Sequence, residues 1–461
     1  YAEKSPVIII SGAPGLKERQ RNPLLHHRVS DFCTQRDVFS RITVASTSLE
    51  DPVTAYDEID RVIHTVERYK RPGYIELPRD MVDISHAHEH RDRDIAELTD
   101  FAVLKECIAE TTTMLNGSRK PVIIAGVEIH RFGLQDKLVE LVEKTNIPVA
   151  ATILGKSVIG EDHPLYLGVY EGAMGRSDVQ EYVESADCVL MLGCFMTDIN
   201  LGVYTANLDP SRTIYATSER LSIRRHSFDD VPFRMFFKAL LEAPLKQLAA
   251  PEIPKCEMPK GPEPGDADRI TMKTLFSMLN DFITDDVVVI SDIGDCLFGA
   301  IDLKIHKRTE FLSPAYYSSM GFGVPASLGA QMANRSIRPI VLVGDGAFQM
   351  TGLELSTIAR LGLNPVVVVL NNRGYNTERQ IMDGRFNDIH NWNFVKVPEL
   401  LGSGQGFIVK TAGEMRKALD ASLSNKDAFS LIEVDLDPHD ISPALRRLGE
   451  RLGSRVKGKS H

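Results

Sequence analysis

Several things are scarce in this sequence. Its six cysteines are scattered and no C-x-x-C pair occurs. Neither a zinc site nor a disulfide framework is therefore expected, and a reducing cytoplasm fits best. Positive charge is in deficit. A formal net charge of -10 argues against a nucleic-acid partner, while leaving room for a local cationic site. No apolar run is long enough to span a membrane and no signal peptide is visible. The one tryptophan, Trp392, reads most simply as a core residue. An initial methionine is also missing. Tyr1-Ala-Glu-Lys-Ser-Pro runs at once into the strand-like Val7-Ile-Ile-Ile10, which reads as a fragment lacking its N-terminal part.

What is present is ordinary in bulk and ordered in detail. The chain has 461 residues, 43% hydrophobic and 25% charged, enough for two to four soluble domains. No 20–50-residue repeat is evident. Apolar runs alternate with helical patterns throughout, which predicts βαβ units, parallel sheets and an α/β fold of three doubly wound domains, the first of them incomplete. The first block, 1–90, holds predicted strands Val7–Ser11, Ile42–Val44 and Tyr74–Leu77 and a helix over Val53–Lys70. Its end, with His86, His88 and His90, reads as a solvated linker rather than a metal site. On a helix only His86 and His90 would share a face, and no cysteine accompanies them.

The second block, 98–248, holds predicted strands Pro121–Ala125, Val149–Thr152, Cys188–Leu192 and Thr213–Ala216. Gly126 and Gly193 end two of these, but no G-x-G-x-x-G follows, so this block reads as structural. A stretch rich in Pro, Glu and Lys over Ala250–Asp266 is a linker by composition. The third block, 267–461, holds predicted strands Val287–Ser291, Ile340–Val343, Val366–Leu370 and Leu431–Asp435 and ends in a basic tail over Arg446–His461, read as solvated helix and frayed end.

The third block also carries the most informative pattern. One apolar strand ends in Gly344-Asp345-Gly346. A second ends in Asn371-Asn372-Arg373-Gly374-Tyr375-Asn376-Thr377-Glu378, with 24 residues between Gly346 and Asn371. Both strands stop where carboxyl ends meet at one edge of a parallel sheet, the place where such sheets bind ligands. Gly344 and Gly346 permit close approach of a phosphate. Asp345 and Asn372 offer hard oxygen ligands of the kind Mg²⁺ takes when it is shared with a phosphate.

This spacing resembles the thiamine diphosphate signature. The order of the three blocks resembles the thiamine diphosphate-dependent 2-oxoacid decarboxylases, in which a pyrimidine-binding domain precedes a central and a diphosphate-binding domain. The resemblance covers essentially the whole chain. It implies Mg²⁺ held by Asp345, Asn372 and the carbonyl of Gly374, in a pocket lined by Gly346, Ala347 and Arg373–Asn376, including Tyr375 and Asn376. It implies that Met320, in Ser318-Ser319-Met320-Gly321, props the cofactor in a bent shape while the backbone near Ser318 holds its pyrimidine amino group. Taken alone, Met320 reads as core packing.

The same resemblance places His26-His27 and Glu378 on the substrate as catalytic groups. Imidazoles exchange protons near neutral pH, and a carboxyl beside a departing carboxylate is expected to have a raised pKa through burial and like charge. Gly73–Asp80 and Phe386–Trp392 are smaller matches. Asp295 departs from the family pattern, standing where many members carry a Thr or Ser against the cofactor. Thr377, smaller than the aliphatic residue of pyruvate decarboxylases, leaves room for a longer or aromatic substrate. The upstream glutamate and aspartate of the family have no counterpart here.

The expected activity is non-oxidative decarboxylation of a 2-oxo acid (pyruvate, phenylpyruvate, indolepyruvate or a branched acid) to an aldehyde and CO₂, in a cytoplasmic homodimer or homotetramer without nucleic acid or membrane. An acetolactate synthase-like carboligase and an inactive cofactor-binding fragment are the alternatives, and the chain by itself is expected to be inactive or nearly so.

Overall fold

The computed structural model describes residues 1–26, 28–85, 89–90, 99–254, 263–306, 310–447 and 449. His27, His86, His88, part of the Pro-rich linker and nearly all of the basic tail lie outside the described residues.

Three sheets follow one another along the chain. The first contains β1 (Ile8–Ala13), β2 (Ala45–Ser48) and β3 (Gly73–Pro78), in the order β1-β3-β2 and all parallel. The helix Ala55–Tyr69 crosses between β2 and β3 and buries Val62 and Val66. The strand expected at Ile42–Val44 is displaced. Ile42 closes the helix Thr34–Ile42, and pairing begins at Ala45 opposite Gly73.

The second sheet contains β4 (Pro121–Ala125), β5 (Val149–Ala151), β6 (Tyr166–Val169), β7 (Cys188–Leu192), β8 (Thr213–Ala216), β9 (Leu221–Ile223) and β10 (His226–Phe228). Their order is β10-β9-β8-β7-β4-β5-β6, with only β9 and β10 antiparallel to their neighbours. The chain runs outward from β4 through β5 to β6, then resumes on β4's other side with β7 and β8, so the strand order reverses between β4 and β7.

The third sheet is wholly parallel. It contains β11 (Val287–Ser291), β12 (Glu310–Leu312), β13 (Arg338–Gly344), β14 (Val366–Asn371), β15 (Gln405–Val409) and β16 (Ser430–Asp435), in the order β12-β11-β13-β14-β16-β15. Its central strands are continuous apolar runs because both faces are covered. Val366, Val368 and Leu370 enter one core with Ile340, Leu342 and Val289, while Val367 and Val369 enter the opposite core with Val341, Val343 and Ile290. That alternation is the period of two of a strand. The strand order reverses between β11 and β13, which places the ends of β11, β13 and β14 side by side.

Candidate functional site at the edge of the third sheet

The turn after β13 and the turn after β14 meet through one side chain. Asp345 is buried, at 1% exposure. Its Oδ1 accepts from the amide of Gly346 at 2.8 Å and its Oδ2 from the amide of Gly374 at 3.1 Å. Burial pushes its carboxyl up to about 6, against the opposing pull of those amides and of the Arg379 charge. A second tie is steric. A Cβ on Gly346 would lie 2.6 Å from the ring of Tyr375, so this glycine's missing side chain makes room for Tyr375. Gly344 is different: nothing lies within 4 Å of where its Cβ would be, so it is the glycine that leaves open space at the sheet edge.

The loop after β14 needs unusual backbone. Arg373 has φ of 61° and Gly374 φ of 158°. A Cβ on Gly374 would fall 2.2 Å from the carbonyl oxygen of Asn387, whose carbonyl also accepts from the amide of Tyr375 at 2.9 Å. Phe386–Trp392 therefore backs the loop. Asn371, Asn372 and Asn376 are all buried, and each leaves its side-chain oxygen without a hydrogen-bond partner. The amide nitrogens of two of them are engaged, Asn371 with Glu433 at 2.8 Å and Asn376 with the carbonyl of Asp440 at 2.9 Å. A buried oxygen without a donor is costly and calls for a partner. The Asn372 oxygen belongs to the loop that Asp345 holds, and an amide oxygen beside a carboxylate suits a hard cation. The residues fit Mg²⁺ on that ground. Among the described residues no group of three or more His, Cys, Asp or Glu gathers to hold a metal. His90, the described member of the histidine linker, pairs with Asp60 at 3.1 Å.

A carboxylate that sequence reasoning passed over organises the neighbouring edge. Asp292 is fully buried at the end of β11. It accepts from the amides of Ile293 at 3.0 Å, Gly321 at 3.2 Å and Gly323 at 2.9 Å. Burial raises its carboxyl above the usual range despite these bonds. It thereby docks the loop bearing Ser318, Ser319 and Met320 against the strand end. Ser318 takes φ of 62° there and Gly321 φ of 82°, and Thr351 donates to the Gly321 carbonyl at 2.7 Å. Ser318 and Ser319 are exposed, and Met320 packs half-buried on the core containing Val343 and Phe348. Its core-packing role is real, whatever else it touches. The signal for Asp292 was Ser291-Asp-Ile-Gly-Asp295, in which the reading singled out the second aspartate.

Asp295 opens the helix Asp295–Ile301 and is buried at 6% exposure. Its carboxylate accepts from the amide of Ser442 at 3.0 Å, so it is tied to the C-terminal segment. Burial, helped by the charge of Asp440, pushes it up to about 6. Thr377 comes close to the turn before it: a Cβ on Gly294 would lie 3.3 Å from the Thr377 hydroxyl. Ala347 is buried in the core behind the site. Glu378, in the helix Asn376–Ile381, is exposed rather than buried as expected. His26 is exposed on a loop of the first sheet, and its neighbour His27 is outside the described residues. Thus Asp345, Gly346, Asn372, Gly374, Tyr375 and Asn376 form one constellation; Glu378 lies on the helix that Asn376 opens, and His26 on a loop of the first sheet.

The family model of the C-terminal TPP (thiamine pyrophosphate, that is, thiamine diphosphate) binding domain of thiamine pyrophosphate enzymes matches residues 292–434. The model of the central domain of those enzymes matches 108–243. The chain is 35% identical over 453 residues to indole-3-pyruvate decarboxylase of Azospirillum brasilense, covering 97% of this chain and 82% of that protein. It is 32% identical over 459 residues to an alpha-keto-acid decarboxylase of Mycolicibacterium paratuberculosis, covering 97% and 81%. It is 29% identical over 462 residues to a pyruvate decarboxylase of Candida glabrata, covering 96% and 82%.

Proposed function

This chain belongs to the thiamine diphosphate-dependent 2-oxoacid decarboxylases, and from that premise we propose that it anchors its cofactor through Mg²⁺ at Asp345, Asn372 and the carbonyl of Gly374 and prefers an aromatic 2-oxo acid. The observation that carries the metal reading is the buried, unpartnered oxygen of Asn372 on the loop tied to Asp345. The aromatic preference is supported by the small Thr377 and by the name of the Azospirillum relative, an indole-3-pyruvate decarboxylase.

When bound, the cofactor supplies a nucleophilic thiazolium carbon and a sink for the electron pair left as CO₂ departs. The chain's own residues do the rest. Asp345 is held by two amides and so presents a preset carboxylate, which costs no reorganisation when a cation arrives. Asp292 fixes the loop of Ser318, Ser319 and Met320, which would give a bound cofactor a support of settled shape. His26, His27 and Glu378 orient the substrate carboxylate and deliver the proton that replaces it, giving an aldehyde. Asp295 holds the C-terminal segment near Thr377. In this reading the chain divides into domains 1–90, 98–248 and 267–461, the first contributing to pyrimidine binding and the third to diphosphate binding. A homodimer or homotetramer in the cytoplasm completes the reading. Among the described residues no helix is long and apolar enough to cross a membrane.

The test is CO₂ release by the full-length protein with thiamine diphosphate and Mg²⁺ from pyruvate, phenylpyruvate and indolepyruvate in parallel. Faster turnover of the two aromatic acids, with aldehyde as product, is expected. Acetolactate formed from pyruvate would overturn the assignment in favour of a carboligase.

A further inference from the structure

The loop after β14 is gripped from behind by Arg379, one turn into the next helix. Its side chain is 5% exposed. A guanidinium that deep must find acceptors for its five donors. Three of those found are backbone carbonyls: Asn372 at 3.3 Å, Arg373 at 3.2 Å and Pro438 at 3.3 Å. The fourth is the Asp388 carboxylate at 2.9 Å, itself 60% exposed. Two successive carbonyls of the loop thus converge on one planar donor. That convergence accompanies the left-handed backbone of Arg373, and it also requires Gly374, where a Cβ would lie 2.5 Å from the Arg379 Nη2. The two peptides so fixed are those flanking the Asn372 side chain and the amide of Gly374 that binds Asp345.

We infer that Arg379 is a positioning residue for the metal site: by clamping the carbonyls of Asn372 and Arg373 it holds the Asn372 side chain, and the Gly374 amide that binds Asp345, in place for a divalent cation. The inference rests on the Mg²⁺ reading above. Its mechanism is geometric. A nearby positive charge taken alone would repel the cation, so the benefit must come from the shape of the hydrogen-bond fork, which lysine cannot reproduce.

The experiment titrates Mn²⁺ into the full-length protein with thiamine diphosphate present and follows free Mn²⁺ by electron paramagnetic resonance, for the wild type, Arg379→Met and Arg379→Lys. Both variants should bind Mn²⁺ about 10–100-fold more weakly, the range of supporting partners behind metal ligands. Saturating Mg²⁺ should return most of the lost kcat, which a globally damaged fold would not allow. Should Arg379→Met fail to fold, Arg379→Lys decides, since it keeps the charge and loses the fork. Wild-type Mn²⁺ affinity in Arg379→Lys, or in a folded Arg379→Met, overturns the inference and leaves the metal reading intact. No Mn²⁺ binding by the wild type overturns both.

Discussion

Two sheets of this molecule reverse their strand order, and the two crevices so created differ. In the second sheet the crevice between β4 and β7 is shut. A Cβ on Gly126 would lie 2.2 Å from the carbonyl oxygen of Gly193, so the two turns press backbone to backbone. The anion position beyond them is taken by the protein itself. Glu128 is fully buried, accepts from the amide of Ser218 at 2.8 Å, and pairs with the buried Lys4 at 3.1 Å. In the third sheet the crevice keeps open space at Gly344, two carboxylates pushed up by burial, and asparagine oxygens that lack donors. The same topology serves as a strut when its polar groups are satisfied internally, and as a binding edge when they are left wanting.

The largest test of this contrast is Asp345→Asn. It keeps an acceptor for the Gly346 amide but sets an NH₂ against the Gly374 amide, so it removes both the charge and one of the two ties, and should weaken Mg²⁺-dependent cofactor binding by more than about a hundredfold. Calorimetric titration measures the loss, and a wild-type cofactor affinity would count against the contrast.

Lys4→Met works in the opposite sense at the strut. It strands the buried Glu128 and should cost about 3–5 kcal/mol of stability. Adding Glu128→Gln should recover much of it. Denaturant unfolding reads both, and a Lys4→Met chain as stable as the parent would show that Glu128 does not depend on that pair.

The smallest effect expected is one of pH. Asp295 has its pKa raised from 3.8 to about 6 in the folded chain, chiefly by burial. Between those values the folded state binds more protons than the unfolded, so stability is fullest below the lower value and falls as pH rises to the upper. The loss is on the order of 2–3 kcal/mol. The gap between unfolding curves of Asp295→Asn and the parent should therefore widen in favour of the variant from pH 4 to 6 and stay level above. A gap that does not change with pH would place the Asp295 titration elsewhere.

Local pattern made much of this legible. The runs Pro121–Ala125, Cys188–Leu192, Thr213–Ala216 and Val287–Ser291 appear as strands with the ends their composition suggests, and the helix expected over Val53–Lys70 spans Ala55–Tyr69. Short edge strands were not legible. His226–Phe228 has two exposed residues of three, and Gln405–Val409 carries a glycine and an exposed outer face, so neither shows a buried apolar run. Of the site, the Gly-Asp-Gly and Asn-Asn-x-Gly-Tyr turns could be read from spacing. Asp292 and Arg379 could not, because an aspartate among turn residues and an arginine on a helix look like surface until their partners are known.

The order of residues by itself determined the family and the parallel sheets, and it marks the edge proposed to bind the cofactor, since these follow from apolar runs and glycine turns read within a few tens of residues. Tertiary structure alone decided which buried carboxylates are satisfied. Asp345 meets Gly374 across 29 residues, Glu128 meets Ser218 across 90, and Asp295 meets Ser442 across 147. Desolvation and pairing depend on what the fold brings near a charge, and at those separations nothing local to the charge announces it.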